Sequence, residues 1–179
     1  MTVLILGGSK SGKSDYAQQV ALRLANGGRH YYVATMMPTS CDADSAIIRS
    51  HLQRRAGMDF ETIEQGKDIL SAVREPDAAY LLDSVSTLLT NALYPAENGY
   101  QPDEIAAIRC GEDLIAFLRS VRNAVIVSDD LFRDGVRYDG HTEVFRRHLG
   151  AIHRRLAEEC DVVIEMVFGR PIIHKGEWK

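Results

Sequence analysis

Cysteine is too sparse and too scattered to organise this chain. Its three cysteines, Cys41, Cys110 and Cys160, stand far apart with no C-x-x-C pair, so the spacing offers neither a disulfide framework nor a zinc site. Positive charge is not in excess either. Lys and Arg number 21 against 25 Asp and Glu, for a formal charge of −4. No basic face can dominate such a surface, which excludes nucleic acid as the expected partner and leaves small molecules. No apolar run approaches the roughly 20 residues of a membrane span. The first strand also begins without the charged and apolar regions of a secretory leader. A cytoplasmic protein with no membrane span is therefore expected. Internal repeats and low-complexity linkers are missing as well. What remains is 179 residues of 45% hydrophobic content, enough for one globular domain, residues 1–179, with a sizeable core.

The chain does carry one specific signal. Gly7, Gly8, Ser9, Lys10, Ser11, Gly12, Lys13 and Ser14 follow one another and fit the phosphate-loop pattern G-x-x-x-x-G-K-[ST] without a mismatch. The short apolar run Val3-Leu4-Ile5-Leu6 before it reads as a buried strand. After it, Ala17, Val20, Ala21, Leu24 and Ala25 recur at helical spacing. A loop joining strand to helix lets backbone N–H groups and the open donors of the helix start converge on phosphate oxygens. Lys13 is expected to reach the terminal phosphates of ATP or GTP, and the Ser14 hydroxyl to touch a Mg²⁺ ion shared with the nucleotide.

Strands and helices then alternate. Strands are expected at 30–35, 60–63, 78–82, 124–127, 161–167 and 171–173, the last two as a hairpin through Gly169. Helices are expected over 42–55, 67–74, 85–93 and 102–121, with Ile105, Ile108, Ile115 and Leu118 on one stripe of the long one. Phe145, Leu149, Ile152 and Leu156 mark the buried stripe of a final helix, and residues 131–140 read as a polar functional loop. Strands apolar on both faces indicate an α/β fold. It is expected to be a three-layer α/β/α sandwich on a mostly parallel sheet, of the P-loop NTPase, RecA-like kind. Ligands bind such sheets beyond the carboxyl ends of the strands. The phosphate loop, Thr35, Asp83, Asp129 and Asp130 are therefore expected along one edge.

Asp83 closes a hydrophobic strand, where a second Mg²⁺-organising carboxylate belongs; it can equally cap the helix that follows. Asp129 and Asp130 could serve as a base for an attacking hydroxyl, as a further metal contact, or simply as a solvated turn. A neutral imidazole can attack phosphorus and form a covalent nucleotidyl intermediate, yet spacing alone does not single out His51. His141, His148, His153 and His174 show no metal-ligand spacing.

Taken together, Leu6 through Ser14, Tyr32-Val33-Ala34-Thr35, His51 eleven residues before Thr62-Ile63-Glu64, and Leu81-Leu82-Asp83-Ser84 with Thr90-Asn91 resemble one family. It is the bifunctional adenosylcobinamide kinase/adenosylcobinamide-phosphate guanylyltransferase family of cobalamin biosynthesis. The resemblance spans most of the chain and implies two reactions. A nucleoside triphosphate first phosphorylates the aminopropanol hydroxyl of adenosylcobinamide. GTP then guanylylates a histidine, whose place His51 occupies, and the phosphorylated corrinoid takes the GMP. Nucleotide contacts are implied for the phosphate loop, Val33, Ala34, Thr35, Leu52, Gln53, Arg54, Arg55, Glu64 and Asp83, and a homotrimer is implied too. The chain departs from the family pattern at Ile48, at Asp129-Asp130 and at His153-Arg154, mainly on the side expected to face the corrinoid. Two alternatives stay open on the residues alone: a kinase of the same fold with another small acceptor, and a nucleotide switch acting through loop 131–140.

Overall fold

A computed structural model of the chain describes residues 1–37 and 57–178. The helix expected over 42–55 lies outside the described residues, and with it Cys41, Ile48, His51 and residues 52–55. The described elements are β1 (Thr2–Gly7), α1 (Lys13–Ala25), β2 (His30–Ala34), β3 (Glu61–Glu64), β4 (Ala79–Asp83), α2 (Val85–Leu93), α3 (Glu104–Ser120), β5 (Asn123–Asp129), α4 (Gly140–Glu159), β6 (Val162–Val167) and β7 (Arg170–Lys175). The strands form one sheet in the order β3-β2-β4-β5-β1-β6-β7. Every neighbouring pair is parallel except β6 with β7. That last pair is the expected hairpin. Its tip residues Phe168 and Gly169 both have positive φ, 49° and 76°, as the tight turns of right-twisted hairpins require.

The sheet separates two apolar clusters, which makes the molecule three-layered. Val3, Ile5, Val125 and Val127 pack with Ala17, Val20 and Ala21 of α1 on one face. Leu4, Tyr80, Leu82 and Ile126 pack with α2, α3 and α4 on the other. Because successive strand residues point to opposite faces and both faces are covered, the central strands have to be apolar throughout.

Two local expectations are corrected. Residues 67–74 form no α-helix, only a 3-10 turn over Ile69–Ala72. The hydroxyl of Tyr80 accepts the N–H groups of Arg74 and Glu75, at 2.9 and 3.0 Å, which a helix would have sent back to its own carbonyls. In α3 the expected stripe holds at Ile115 and Leu118 but fails at the start, where Ile105 and Ile108 are 65% and 53% exposed. Ala107, Cys110, Gly111, Leu114 and Phe117 complete the inward face. The small residues are what bring α4 close, since a Cβ on Gly111 would stand 3.1 Å from Ile152 Cγ1.

Candidate active site

The register of the sheet lines up the chemistry. Across the carboxyl edge, Glu64 of β3 pairs with Ala34 of β2, and Ala34 with Asp83 of β4. Asp83 pairs in turn with Val127 of β5, and Asp129, two residues on, with Gly7 of β1. Four strand-to-strand steps, about 19 Å at the usual spacing, therefore carry one continuous row from Glu64 to the phosphate loop.

The loop is shaped by its glycines. A Cβ at Gly7 would lie 2.5 Å from Ser11 Oγ and 2.9 Å from the Met166 carbonyl. Gly12 takes φ of 88° as it turns into α1, a conformation that costs glycine nothing. Asp130 N–H donates to the Gly7 carbonyl at 3.0 Å and Gly169 N–H to the Ser11 carbonyl at 3.0 Å, so β5 and the β6–β7 turn brace the loop from either side. No side chain caps α1, leaving its first-turn N–H groups, those of Lys13 and Ser14 among them, facing the loop's concavity. Ser11 Oγ is buried with no hydrogen-bond partner among the described residues.

Lys13 is largely covered, its side chain 11% exposed. Its Nζ sits 2.7 Å from Asp129 Oδ1 and 3.2 Å from the Gly8 carbonyl. Of the two acidic residues at the end of β5, Asp129 thus joins the phosphate site. Asp130 turns to Arg133, which reaches across β1 to Glu165 of β6 and ties loop 131–139 to the sheet edge. The β5 end is no solvated turn.

Asp83 accepts from the Tyr32 hydroxyl at 3.0 Å through Oδ2. It is not the cap of α2: Ser84 is, its side chain accepting from Thr87 N–H. Thr35, fully buried, holds the next peptide. Its Oγ1 accepts Ser84 N–H at 2.8 Å and donates to the Ser84 carbonyl at 2.9 Å. Asn91 of α2 then donates to the carbonyls of Thr35 and Gly66, at 2.9 and 3.0 Å. Val33 is buried in the sheet and Glu64 is exposed at its edge. Spacing could not announce Asn91, Ser84 or Tyr32 as supports of Asp83, because their roles depend on which strands become neighbours. Nor did it single out His153, which packs under loop 131–139 with Nε2 2.7 Å from Ser128 Oγ. Burial pushes its pKa down to about 4, against a smaller opposing pull from Asp130 and Asp129.

Residues 3–173 match the family described as cobinamide kinase / cobinamide phosphate guanyltransferase, CobU. The chain belongs to this family. Membership makes it a transferase of cobalamin biosynthesis. Relatives that carry the bifunctional title include the following two. The bifunctional adenosylcobalamin biosynthesis protein CobU of Salmonella typhimurium is 28% identical over 180 residues, covering 94% of this chain and 97% of its own. The corresponding CobP of Pseudomonas aeruginosa is 29% identical over 183 residues, 99% of each chain. Among solved structures, the flagellar accessory protein FlaH of Methanocaldococcus jannaschii superposes with a TM-score of 0.51 at 14% identity, covering 99% of this chain and 81% of its own. The RadB recombinase does so with 0.51 at 15% identity, with the same coverage of 99% and 81%. These likenesses show the fold, the RecA-like P-loop arrangement of a mostly parallel sheet between helices. Among the described residues no helix is long and apolar enough to cross a membrane, and no three His, Cys, Asp or Glu side chains gather as a metal site.

Proposed function

We propose that the chain phosphorylates adenosylcobinamide with ATP or GTP and then converts the product to adenosylcobinamide-GDP, working as a homotrimer. The observation that carries this is the match over residues 3–173, joined to an intact phosphate loop in line with Asp83 and Glu64. In the first reaction the acceptor hydroxyl forms a bond to the γ-phosphorus, the β–γ bridging bond breaks, and the nucleoside diphosphate leaves. Lys13 and the first-turn N–H groups of α1 hold the charge that builds on the phosphate oxygens. In the second, a neutral ring nitrogen of His51 attacks the α-phosphorus of GTP and pyrophosphate leaves. The phosphate oxygen of the acceptor then displaces the imidazole from the GMP. Splitting the transfer lets one nucleotide site serve a bulky acceptor.

Mg²⁺ suits the donors present. Ser14 and Asp83 offer one hydroxyl and one carboxylate, hard oxygens of the kind that ion takes together with phosphates and water. When bound, it neutralises charge on the bridging phosphates. Of the residues the resemblance gives to the guanine nucleotide, Val33 and Thr35 are buried and support the site from within, while Ala34 and Glu64 stand on the row itself.

The experiment uses GTP labelled separately at the α and γ positions, with Mg²⁺, with and without cobinamide. Transfer of γ-label to cobinamide is expected in wild type. An acid-labile, base-stable α-label is expected on the protein and absent in His51→Ala. Labelling should rise as pH passes upward through the histidine's pKa, since only the neutral ring attacks. Tight GTP binding without any α-label would leave a kinase alone.

A further inference from the structure

Between the 3-10 turn, α2 and the first half of α3 lies a cavity of about 460 Å³. It is not the phosphate site, yet it adjoins the same row. Gly66 on its wall lies two residues beyond Glu64. Asn91, also on its wall, is the residue whose amide holds the carbonyls of Thr35 and Gly66.

Its lining has a definite chemistry. The floor is apolar, built from Ile69, Leu88, Ala92, Pro95 and Ala106. Two of the acidic residues are already engaged: Glu97 pairs with Lys67 at 3.0 Å, and Asp103 caps α3 by accepting Ala106 N–H at 2.9 Å. Asp68 and Asp113 remain, from the turn and from α3; Asp68 accepts the Ser71 hydroxyl on Oδ2 and keeps Oδ1 to offer. The carboxyl of Asp113 is raised by burial and then by the charge of Asp68, with Glu112 adding and Arg109 offsetting only part. Both amide protons of Asn91 are spent on backbone carbonyls, so its Oδ1 is what it can offer a ligand. Carboxylates therefore outnumber cations on this wall, with Asp68, Glu97, Asp103 and Asp113 against Arg109 and the already paired Lys67. A triphosphate tail would meet like charge here, whereas a group bearing N–H donors or positive charge would relieve the two carboxylates. The acceptor in the proposed reaction has both properties: its periphery carries primary carboxamides on short apolar arms, and its cobalt(III) corrin ring is cationic. It is larger than the cavity, which can take only its edge.

We propose that this cavity receives carboxamide side arms of the corrinoid acceptor, Asp68 and Asp113 accepting their N–H donors while the apolar floor packs against their methylenes. The assignment rests on the function proposed above and adds the acceptor's place to it.

Equilibrium dialysis of cobinamide, followed by its own visible absorbance, tests it on the full chain. Wild type, Asp68→Asn, Asp113→Asn and the cavity-filling Ala106→Phe are compared, with GTP affinity measured in parallel and folding followed by thermal melts. Each Asn variant should bind cobinamide about tenfold more weakly, the scale of one hydrogen bond to a charged group, with GTP affinity within about twofold of wild type. Ala106→Phe should abolish cobinamide binding; should it not fold, the two isosteric variants decide. Wild-type binding that both Asn variants retain would overturn the assignment and leave the function standing. Equal loss of GTP would also overturn it, by giving the cavity to the guanine base. A wild type that binds GTP and never cobinamide would refute the proposed function, and this inference with it.

Discussion

Replacing Thr35 by Val should cost more stability than its size suggests, and the structure says why. The hydroxyl is fully buried and makes two hydrogen bonds, from Ser84 N–H at 2.8 Å and to the Ser84 carbonyl at 2.9 Å. Valine keeps the shape and removes both. The carbonyl retains a partner, because Leu88 N–H also donates to it at 3.0 Å, but the Ser84 N–H is left buried and unmatched. The carbonyl's lost bond at about 1 kcal/mol, with a penalty of about 1–3 kcal/mol for the orphaned donor, totals roughly 2–4 kcal/mol. With a urea slope of about 2 kcal/mol/M for a domain of this size, the unfolding midpoint should fall by about 1–2 M. Thr35→Ser is the control: it keeps the hydroxyl, drops one methyl, and should cost only about 1 kcal/mol. Urea unfolding followed by circular dichroism reads both. The same Val variant should weaken Mg²⁺-dependent GTP binding, since Asp83 precedes the peptide that Thr35 holds. If Thr35→Val unfolds no earlier than Thr35→Ser, the hydrogen bonds are not what fixes this corner of the site.

Lys13→Ala should weaken GTP binding by about 10- to 150-fold in calorimetric titration, the worth of one ammonium on phosphate oxygens; an unchanged Kd would remove Lys13 from the site. Ser14→Ala and Asp83→Ala, singly and together, should lose Mg²⁺-dependent activity non-additively, as groups on one ion do, and simple addition would separate them. His153 supplies a pH test. Its folded pKa of about 4 lies below the unfolded value of about 6.5, so the unfolded chain binds the extra proton. Stability from this residue is intact above pH 6.5 and is lost as pH falls toward 4, by up to about 3 kcal/mol. Unfolding free energies at pH 7.5, 6 and 5 should therefore converge between wild type and His153→Gln on acidification; parallel profiles would contradict it.

Much of the site was legible because its requirements are local. A phosphate loop needs glycine where a Cβ would collide, as at Gly7, and where φ is positive, as at Gly12, and those demands are written at fixed offsets. Asp83 was legible for a related reason, an acidic residue ending a run of apolar ones. Thr35 was placed on the edge by its strand end, and Glu64 came with the family resemblance. The misjudged parts were those in which a distant group competes for a local preference. A helix is expected over residues 67–74, yet Tyr80 takes the N–H group of Arg74 and that of Glu75 just beyond it. Ile105 and Ile108 are the most apolar residues of their segment, yet α4 approaches along Ala107 and Gly111.

The sequence alone determined the kind of protein. Alternating apolar strands and amphipathic helices leave few ways to bury both faces of a sheet, and one uninterrupted motif assigns the phosphate chemistry. Only the tertiary structure decided which carboxylate meets Lys13, because Asp129 and Gly7 are 122 residues apart and become neighbours through strand order. The same order sets Asp130 and Glu165 on one arginine, and gives Asp83 its hydroxyl from Tyr32. Which strands become neighbours in a parallel sheet is a matter of pairing between distant segments, joined by crossovers, and neither segment alone states its partner.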